Sequence, residues 1–215
     1  MDPLEQTPPL KPRDARRTDG RATLLAAAVR CMNTHGYHGT SIRDIADEAG
    51  VSSAALYHHF SSKQDILVAI MRRALGDAAD ATQDALALAG TAPTDQLAAV
   101  VRAWVTFHAA RRSDALIGAT EIRGLEPAGR AEVVALRDRQ EFLFRSIIEA
   151  GIADGSFDVT RADHATRAII TMGTSVSTWF DPHQVDTPLA VAEEFTRLAL
   201  GMVGATATPA RPLST

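Results

Sequence analysis

The chain has 215 residues, of which 46% are apolar, and its formal net charge is −4. This length and composition allow a buried core in one medium domain or in a small domain joined to a larger one. The longest apolar runs fall well short of the roughly 20 residues that cross a bilayer, and no signal-peptide pattern opens the chain, so we expect a cytoplasmic protein with no membrane partner. Cys31 is the only cysteine, which excludes an intrachain disulfide and a thiolate metal cage, and we expect neither metal nor cofactor.

The charge is unevenly distributed along the chain. Residues 11–63 contain eight basic and five acidic side chains, so this segment carries +3 and the remainder −7. Binding to nucleic acid depends on local rather than total charge. The negative total therefore does not exclude a nucleic-acid contact by the N-terminal segment.

Apolar residues recur at three and four positions throughout the interior, and no segment sustains the period-two alternation of strands, which predicts an all-α protein. Proline-rich residues 1–19 are expected to form a flexible basic arm, and residues 205–215 a flexible tail. Ser61 and Gln64 have the spacing of a capping box at the start of one long helix. Glycine and proline positions predict helices over about 21–35, 41–49, 53–60, 63–88, 94–111, 114–124, 127–153, 161–180 and 188–203.

Residues 41–60 have the pattern of two short helices joined by a tight turn. An apolar stripe at i, i+3, i+4 and i+7 lies along the first helix, and Gly50 permits the sharp turn that follows. Ser52 is a good N-cap for the second helix. Such a unit presents its second helix to the major groove of DNA, so we expect a three-helix DNA-binding domain over 20–66 and a larger helical domain over 67–204.

Short or hydrogen-bonding side chains on the outer side of the second helix suit base edges, thymine methyls and phosphates. Helix starts, with their free backbone N–H groups, favour phosphate oxygens. An alternative for Tyr57 is packing inside the three-helix core. The predicted DNA-contacting residues are Arg17, Thr40, Ser41, Arg43, Ser52, Ser53, Ala54, Ala55, Tyr57, His58 and Lys63.

Three strings at fixed offsets in this region resemble the TetR-family DNA-binding domain over about residues 18–70. The resemblance implies that Thr40, Tyr57, His58 and Lys63 contact the DNA backbone, while Ser53, Ala54 and Ala55 face the bases. It also implies a C-terminal helical domain that binds an inducer and dimerises. The strings are Gly39-Thr40-Ser41-Ile42-Arg43-Asp44-Ile45-Ala46, Ala49-Gly50-Val51-Ser52, and Leu56-Tyr57-His58-His59-Phe60 with Lys63 and Leu67 following.

The last two predicted helices carry more apolar and small side chains than one core of this size can bury. Pairing with a second copy in a four-helix bundle would cover them, and packing within the chain is the alternative. A two-fold dimer would read a palindromic operator. The candidate interface residues are Ile169, Gly173, Val176, Phe195, Leu198 and Met202.

A ligand cavity is expected among the middle helices, since such cavities are mostly apolar with a few polar groups. The alternative for the apolar candidates is ordinary core packing, and for Glu121 and Arg123 a solvated face. The candidate ligand-binding residues are Trp104, Phe107, His108, Glu121, Arg123, Phe142, Met172 and Trp179.

A second resemblance concerns the branch of TetR regulators that controls fatty-acid and steroid breakdown. It implies that the small-molecule inducer is an acyl-CoA thioester or a related lipid. Thr174 and Ser175 stand where many members of that branch carry Asn-Trp. The resemblance lies in Glu121-Ile122-Arg123-Gly124-Leu125-Glu126-Pro127, residues 137–144, Gly151-Ile152-Ala153-Asp154-Gly155-Ser156-Phe157, and Trp179-Phe180.

The motifs of an enzyme are missing. Residues 173–177 lack the final glycine of a nucleophile elbow, no phosphate-binding glycine loop occurs, and adjacent His58 and His59 point too far apart on a helix to share a metal. We therefore expect a ligand-responsive transcriptional repressor that binds its operator as a homodimer and is released by a small apolar or amphipathic inducer. The alternatives are a transcriptional activator or ligand-independent repressor with the same DNA-binding unit, and a stand-alone lipid-binding protein.

Overall fold

A computed structural model describes residues 12–183 and 186–205, with only the backbone described over 12–19. Every regular element in these ranges is helical, which confirms the all-α prediction. None of the described helices is both long and apolar enough to span a membrane. The elements are α1 (Pro12–Gly39), α2 (Ile42–Glu48), α3 (Ser53–Tyr57), α4 (Lys63–Leu88), α5 (Pro93–Ala110), α6 (Arg112–Thr120), a 3₁₀ helix (Glu121–Gly124), α7 (Pro127–Asp154), α8 (Ala162–Trp179) and α9 (Pro188–Met202).

The first helix differs from its predicted bounds at both ends. It begins at Pro12, so residues 12–19 are helical where a flexible arm was expected. Proline is well suited to the first turn of a helix, because its missing N–H would have had no partner there. Gly36, with φ 71° and ψ 166°, interrupts the helix at the predicted stop before a last turn that reaches Gly39.

The capping box predicted from Ser61 and Gln64 is wrong. Ser62 is the N-cap of α4, and its hydroxyl accepts a hydrogen bond from the Asp65 N–H at 3.0 Å. The Asp65 carboxylate in turn accepts from the Ser61 N–H at 3.1 Å. The cap is thus shifted by one residue, which leaves the Gln64 side chain available for contacts outside α4.

The first of two hydrophobic cores is formed by α1, α2, α3 and α4, and it extends to α6. Ile45, Leu56 and Ile70 are fully buried in it, and Ile117 of α6 completes it from the other side. The N-terminal helices are therefore not packed as an isolated unit. The first half of α4 belongs to the core beneath α2 and α3, whereas Ala78, farther along the same helix, belongs to the second core.

The second core surrounds α5, which packs against α4, α7, α8 and α9. Ile169, Gly173 and Val176 of α8, predicted to lie at a dimer interface, are buried here instead. A Cβ atom at Gly173 would collide with the Trp104 indole. The alternative of packing within the chain is therefore correct for these three residues, because the apolar stripe of α8 faces α5.

The end of α7 depends on two glycines. Gly155 closes the helix in the left-handed conformation, with φ 81°, which turns the chain so that Phe157 folds back over Gly151. The Phe157 N–H donates to the Gly151 carbonyl at 2.9 Å. A Cβ atom at Gly151 would overlap the Phe157 ring, so this close packing requires glycine.

The variant Gly151→Ala should destabilise the protein by about 1–3 kcal/mol, because Phe157 is buried and cannot move away without opening the core. The matched control is Gly76→Ala in α4, where a Cβ meets open space, so alanine should stabilise the helix by up to about 1 kcal/mol. Urea unfolding midpoints measure both effects. Equal stability of the two variants would contradict this packing.

Candidate functional site

The segment from α2 to α3 has the geometry of a helix-turn-helix. Ser41 and Asp44 form a capping box, in which the Ser41 N–H donates to the Asp44 carboxylate at 2.8 Å and the Ser41 hydroxyl accepts from the Asp44 N–H at 3.1 Å. These hydrogen bonds from Ser41 lower the pKa of Asp44. Gly50 turns the chain with φ 69°, and the Val51 N–H donates to the Ala46 carbonyl at 2.9 Å.

The orientation of α3 follows from its buried side. Ser52 caps the helix by accepting the Ala55 N–H at 3.1 Å. Leu56 and Phe60 are buried in the first core, which turns the opposite side of α3 towards solvent. Tyr57 is 55% exposed, so its alternative position inside the three-helix core is excluded.

The side of α2 and α3 that faces solvent, called here the α3 face, carries most of the predicted DNA-contacting residues. The predicted contacts on it are short or polar, and the one charged residue among them, Arg43, lies 3.7 Å from exposed Asp47; Asp44 and Glu48 of α2 are exposed as well. A face of this kind can approach the floor of a major groove roughly 12 Å wide. Its members are the exposed Ser41, Arg43, Ser52, Ala54, Tyr57 and His58 with the half-buried Ser53 and Ala55.

Two other predicted DNA contacts, Thr40 and Lys63, lie away from the α3 face. Thr40 is only 1% exposed, and its hydroxyl donates to the Gly36 carbonyl at 2.8 Å. The Lys63 ammonium donates to the carbonyls of Tyr37 at 2.9 Å and Thr40 at 2.8 Å, and it lies 4.4 Å above the Tyr37 ring. Lys63 therefore ties α4 to the segment between α1 and α2. The Arg17 side chain lies outside the described part of the chain.

Gln64, for which the sequence predicted a helix-capping role, links α4 to the end of α1 and to the chain just before α7. Its amide nitrogen donates to the Tyr37 hydroxyl at 2.8 Å and to the Gly124 carbonyl at 2.6 Å. Its carbonyl oxygen accepts from the Glu126 N–H at 3.1 Å. The first turn of α4 thus connects the helix-turn-helix to the chain between α6 and α7.

A cavity of about 370 Å³ opens between α4, α5, α6, α7 and α8. Of the eight predicted ligand-binding residues, Trp104, Phe107 and His108 line it. The others do not, and Phe142 and Trp179 are 61% and 51% exposed because they lie on the outer faces of their helices. Arg123 is also exposed, Glu121 lies on the 3₁₀ helix, and Met172 packs against the second core. The lining residues are Ala74, Leu75, Ala78, Trp104, Phe107, His108, Ala115, Gly118, Ala119, Arg137, Gln140, Glu141, Ile170, Thr171, Thr174, Ser175 and Thr178.

His108 is a neutral hydrogen-bond acceptor in the cavity wall. Its Nδ1 lies 2.8 Å from the Trp104 carbonyl oxygen, which only accepts, so Nδ1 carries the proton. Burial lowers the pKa of His108 to about 4, so the ring is uncharged at neutral pH. Nε2 is therefore left with a lone pair for a donor group.

Sequence reasoning missed the polar lining of the cavity. The Gln140 amide donates to Thr82 at 2.9 Å, and the hydroxyls of Thr174 and Ser175 donate to carbonyls of α8 at 2.8 Å and 2.7 Å. Thr174 and Ser175 are the two positions that depart from the lipid-regulator pattern, which was the available signal. Within the described ranges, no three His, Cys, Asp or Glu side chains are grouped to hold a metal ion.

An apolar strip on the outside of α8 and α9 contains the remaining predicted interface residues. Leu198 and Met202 are exposed, and half-buried Phe195 lies against exposed Trp179, with ring centroids 5.9 Å apart. Large apolar side chains grouped on a surface mark an interaction site.

Known proteins match both halves of the chain. A model of the tetR family of bacterial regulatory proteins matches residues 24–70, and one of the tetracyclin repressor-like C-terminal domain matches residues 90–203. The HTH-type transcriptional repressor KstR2 of Rhodococcus jostii strain RHA1 is 32% identical over 152 residues, which cover 70% of this chain and 74% of that protein.

Solved structures agree with these matches. A bacterial regulatory protein of the tetR family from Rhodococcus RHA1 superposes with a TM-score of 0.82 at 33% identity, covering 87% of this chain and 98% of that one. The ketosteroid transcriptional regulator KstR2 of Mycobacterium tuberculosis superposes with a TM-score of 0.78 at 25% identity, covering 87% and 95%.

The low pKa of His108 predicts a loss of stability in acid. Because burial disfavours the imidazolium, the unfolded chain binds more protons than the folded chain between pH 6.5 and about 4. The contribution of His108 is complete above pH 6.5, and about 3 kcal/mol is lost as the pH falls through this range. Urea unfolding at several pH values measures this loss.

The variant His108→Gln should flatten the pH dependence between these limits. His183→Gln, at an exposed position, is the matched control and should keep the wild-type profile. An identical pH profile for His108→Gln and the wild type would show that His108 is not held neutral in the fold.

Proposed function

The chain belongs to the TetR family of bacterial regulatory proteins, and we propose from that premise that it is a ligand-responsive transcriptional repressor. It binds a palindromic operator as a homodimer and leaves the operator when a small apolar or amphipathic molecule fills the cavity. It acts in the cytoplasm and has no catalytic activity. Support comes above all from the α3 face, which is exposed although Leu56 and Phe60 on the same segment are buried.

The α3 face suits DNA by size and chemistry. Ser53, Ala54 and Ala55 are small enough to let α3 reach base edges and thymine methyls, whereas Tyr57 and His58 reach the phosphates beside the groove. Thr40 and Lys63 contribute indirectly, since both hold the segment before α2 in place. Their role is to position the α3 face.

The apolar strip pairs with its copy across a two-fold axis. Trp179 and Phe195 form its aromatic centre, and Leu198 and Met202 extend it along α9. Burying aromatic side chains at the centre of an interface provides much of the binding energy. A two-fold dimer of this kind places two α3 faces roughly 34–36 Å apart, one turn of DNA, which accounts for a palindromic operator.

The route from the cavity to the α3 face passes through Gln64. Ala115, Gly118 and Ala119 of α6 line the cavity, and the 3₁₀ helix leads from α6 to Gly124, which accepts a hydrogen bond from Gln64. A ligand that displaces α6 moves Gly124, and Gln64 with Lys63 passes the movement to α2 and α3. Changing operator occupancy from nearly full to nearly empty requires about 5.5 kcal/mol of differential affinity.

The ligand is an acyl-CoA or a related lipid. Two of the similar proteins are named KstR2, and one of them is described as a ketosteroid transcriptional regulator. A cavity of about 370 Å³ is small among ligand pockets, which commonly span about 300–1,000 Å³. It suits an acyl chain or a compact ring system better than an entire coenzyme A thioester, whose nucleotide would lie outside.

The variant Ala54→Glu should weaken binding to DNA from upstream of its own gene by at least about hundredfold, because it sets a carboxylate against the phosphates. Ala54 is exposed near the start of α3, where an acidic side chain does not disturb a helix. A gel shift with competitor DNA at fixed salt measures the affinity. The control is Ala135→Glu, at an exposed position of α7, which should bind DNA as tightly as the wild type. Binding by Ala54→Glu as tight as that of the wild type would refute the repressor proposal.

The variant Gln64→Leu should separate ligand binding from operator release. Dodecanoyl-CoA would still bind the cavity, but the concentration that releases half of the operator would rise at least about tenfold, since coupling between sites is typically 1–3 kcal/mol. Calorimetry measures ligand binding, and a gel shift measures release. The control is Gln83→Leu, at an exposed position of α4, and equal half-release concentrations for Gln64→Leu and the wild type would exclude the proposed route.

A reporter strain distinguishes this function from its alternatives. Deleting the gene should raise expression from the bound promoter, as expected for a repressor. A fall in expression would indicate an activator, and repression unaffected by any lipid would indicate a ligand-independent repressor. Binding of lipid without operator preference would indicate a lipid-binding protein.

A further inference from the structure

We propose that Arg137 binds the anionic head of the cavity's ligand, so that the inducer is an amphipathic anion whose charge lies between α6 and α7. This inference rests on the proposed function, since it takes the cavity as the inducer site. It adds the position of the ligand's charge in the cavity and the residue that recognises it.

Arg137 is a cation that has no counter-ion among the described side chains. It lies half-buried on α7 in the cavity wall, and its guanidinium donates one hydrogen bond to the Gly118 carbonyl of α6. No carboxylate of the described residues lies within ion-pairing distance of it. Burial lowers the pKa of Arg137, yet an arginine stays charged in proteins and has five N–H donors, most of which remain for a ligand.

Glu141, on the same helix as Arg137, is the acidic residue of the cavity lining. Its carboxylate lies 3.7 Å from the Arg167 guanidinium of α8, so it is paired across the α7–α8 contact and does not neutralise Arg137. The two charges of the lining are therefore different in kind, because one has a partner and the other does not. A partly desolvated charge without a partner is unfavourable, and a ligand anion removes that cost.

The remaining described polar groups of the cavity are neutral. His108 is an uncharged acceptor, Gln140 donates to Thr82, and the hydroxyls of Thr174 and Ser175 donate to their own helix. None of them attracts an anion as a guanidinium does. The lining therefore offers one position for negative charge and an apolar wall for the rest of the ligand, formed by residues such as Trp104 and Phe107.

The position of Arg137 also gives the ligand a direct effect on α6. Its guanidinium holds the Gly118 carbonyl, and α6 leads through the 3₁₀ helix to Gly124. An anion that draws the guanidinium towards itself changes this contact between α6 and α7. The same group thus recognises the ligand and starts the movement that reaches Gln64.

Calorimetry with three probes of equal chain length tests the inference: dodecanoate, dodecyl phosphate and dodecanol. The wild type should bind at least one anion about tenfold or more tightly than the alcohol, since hydrogen bonds to charged groups are stronger than those between neutral groups. A preference for the carboxylate indicates a fatty-acid head, and a preference for the phosphate indicates a phosphorylated head.

The variant Arg137→Gln should bind the alcohol as the wild type does and lose the preference for the anion. Arg137→Lys should retain part of that preference, which distinguishes recognition of charge from a merely structural contact with Gly118. The control Glu141→Gln should leave the preference in place or strengthen it.

Three results would overturn the inference: equal binding of dodecanol and both anions by the wild type, equal weakening of alcohol and anion by Arg137→Gln, or binding of none of the probes. A gel shift on the same preparations keeps the two proposals apart. Absence of operator binding by the wild type refutes the repressor function, whereas absence of an anion preference in a wild type that still binds the operator refutes only the assignment of Arg137.

Discussion

The hydrogen bonds of the first turn of α4 are the constraint on which the rest of the arrangement depends. Lys63 holds the two carbonyls that precede α2, and Gln64 holds Tyr37 on one side and Gly124 on the other. The orientation of the α3 face is thereby fixed relative to the chain that leaves the cavity. The two bonds of Lys63 have a charged donor, and such bonds are stronger than those between neutral groups.

This arrangement explains how two sites can share one equilibrium. The two cores meet along α4, so the helix-turn-helix and the cavity are packed on successive parts of one helix. Packed interiors change between discrete arrangements rather than deform continuously. In the function proposed here, a ligand acts by favouring one packing of α6 against α4 and α7, and the position of α3 follows.

Local signals explain why the helix-turn-helix was predictable. The stripe of α2, the turn at Gly50 and the cap at Ser52 each act within a few residues, and each appears in the structure as expected. Gln64 was missed because its partners are 27 and 60 residues away along the chain. Ser61, three residues before it, offered a plausible local role, but sequence spacing alone could not show which bonds form.

Local sequence signals were also insufficient to predict which residues line the cavity. Apolar residues at helical spacing indicate a face, but they do not tell whether that face lines a cavity, joins a core or lies on the surface. Trp104 and Phe107 line the cavity, Ile169 and Val176 are in the core, and Trp179 is exposed. Only the packing of the neighbouring helices decides among these outcomes.

In the function proposed here, filling the cavity moves the two α3 faces of a dimer relative to each other. Double electron–electron resonance between nitroxides at Ala54→Cys, in a Cys31→Ser background, measures this separation directly. We expect a separation of roughly 34–36 Å on the operator and a different separation when dodecanoyl-CoA occupies the cavity. A distance distribution that stays unchanged when the cavity is filled and the operator is released would contradict it.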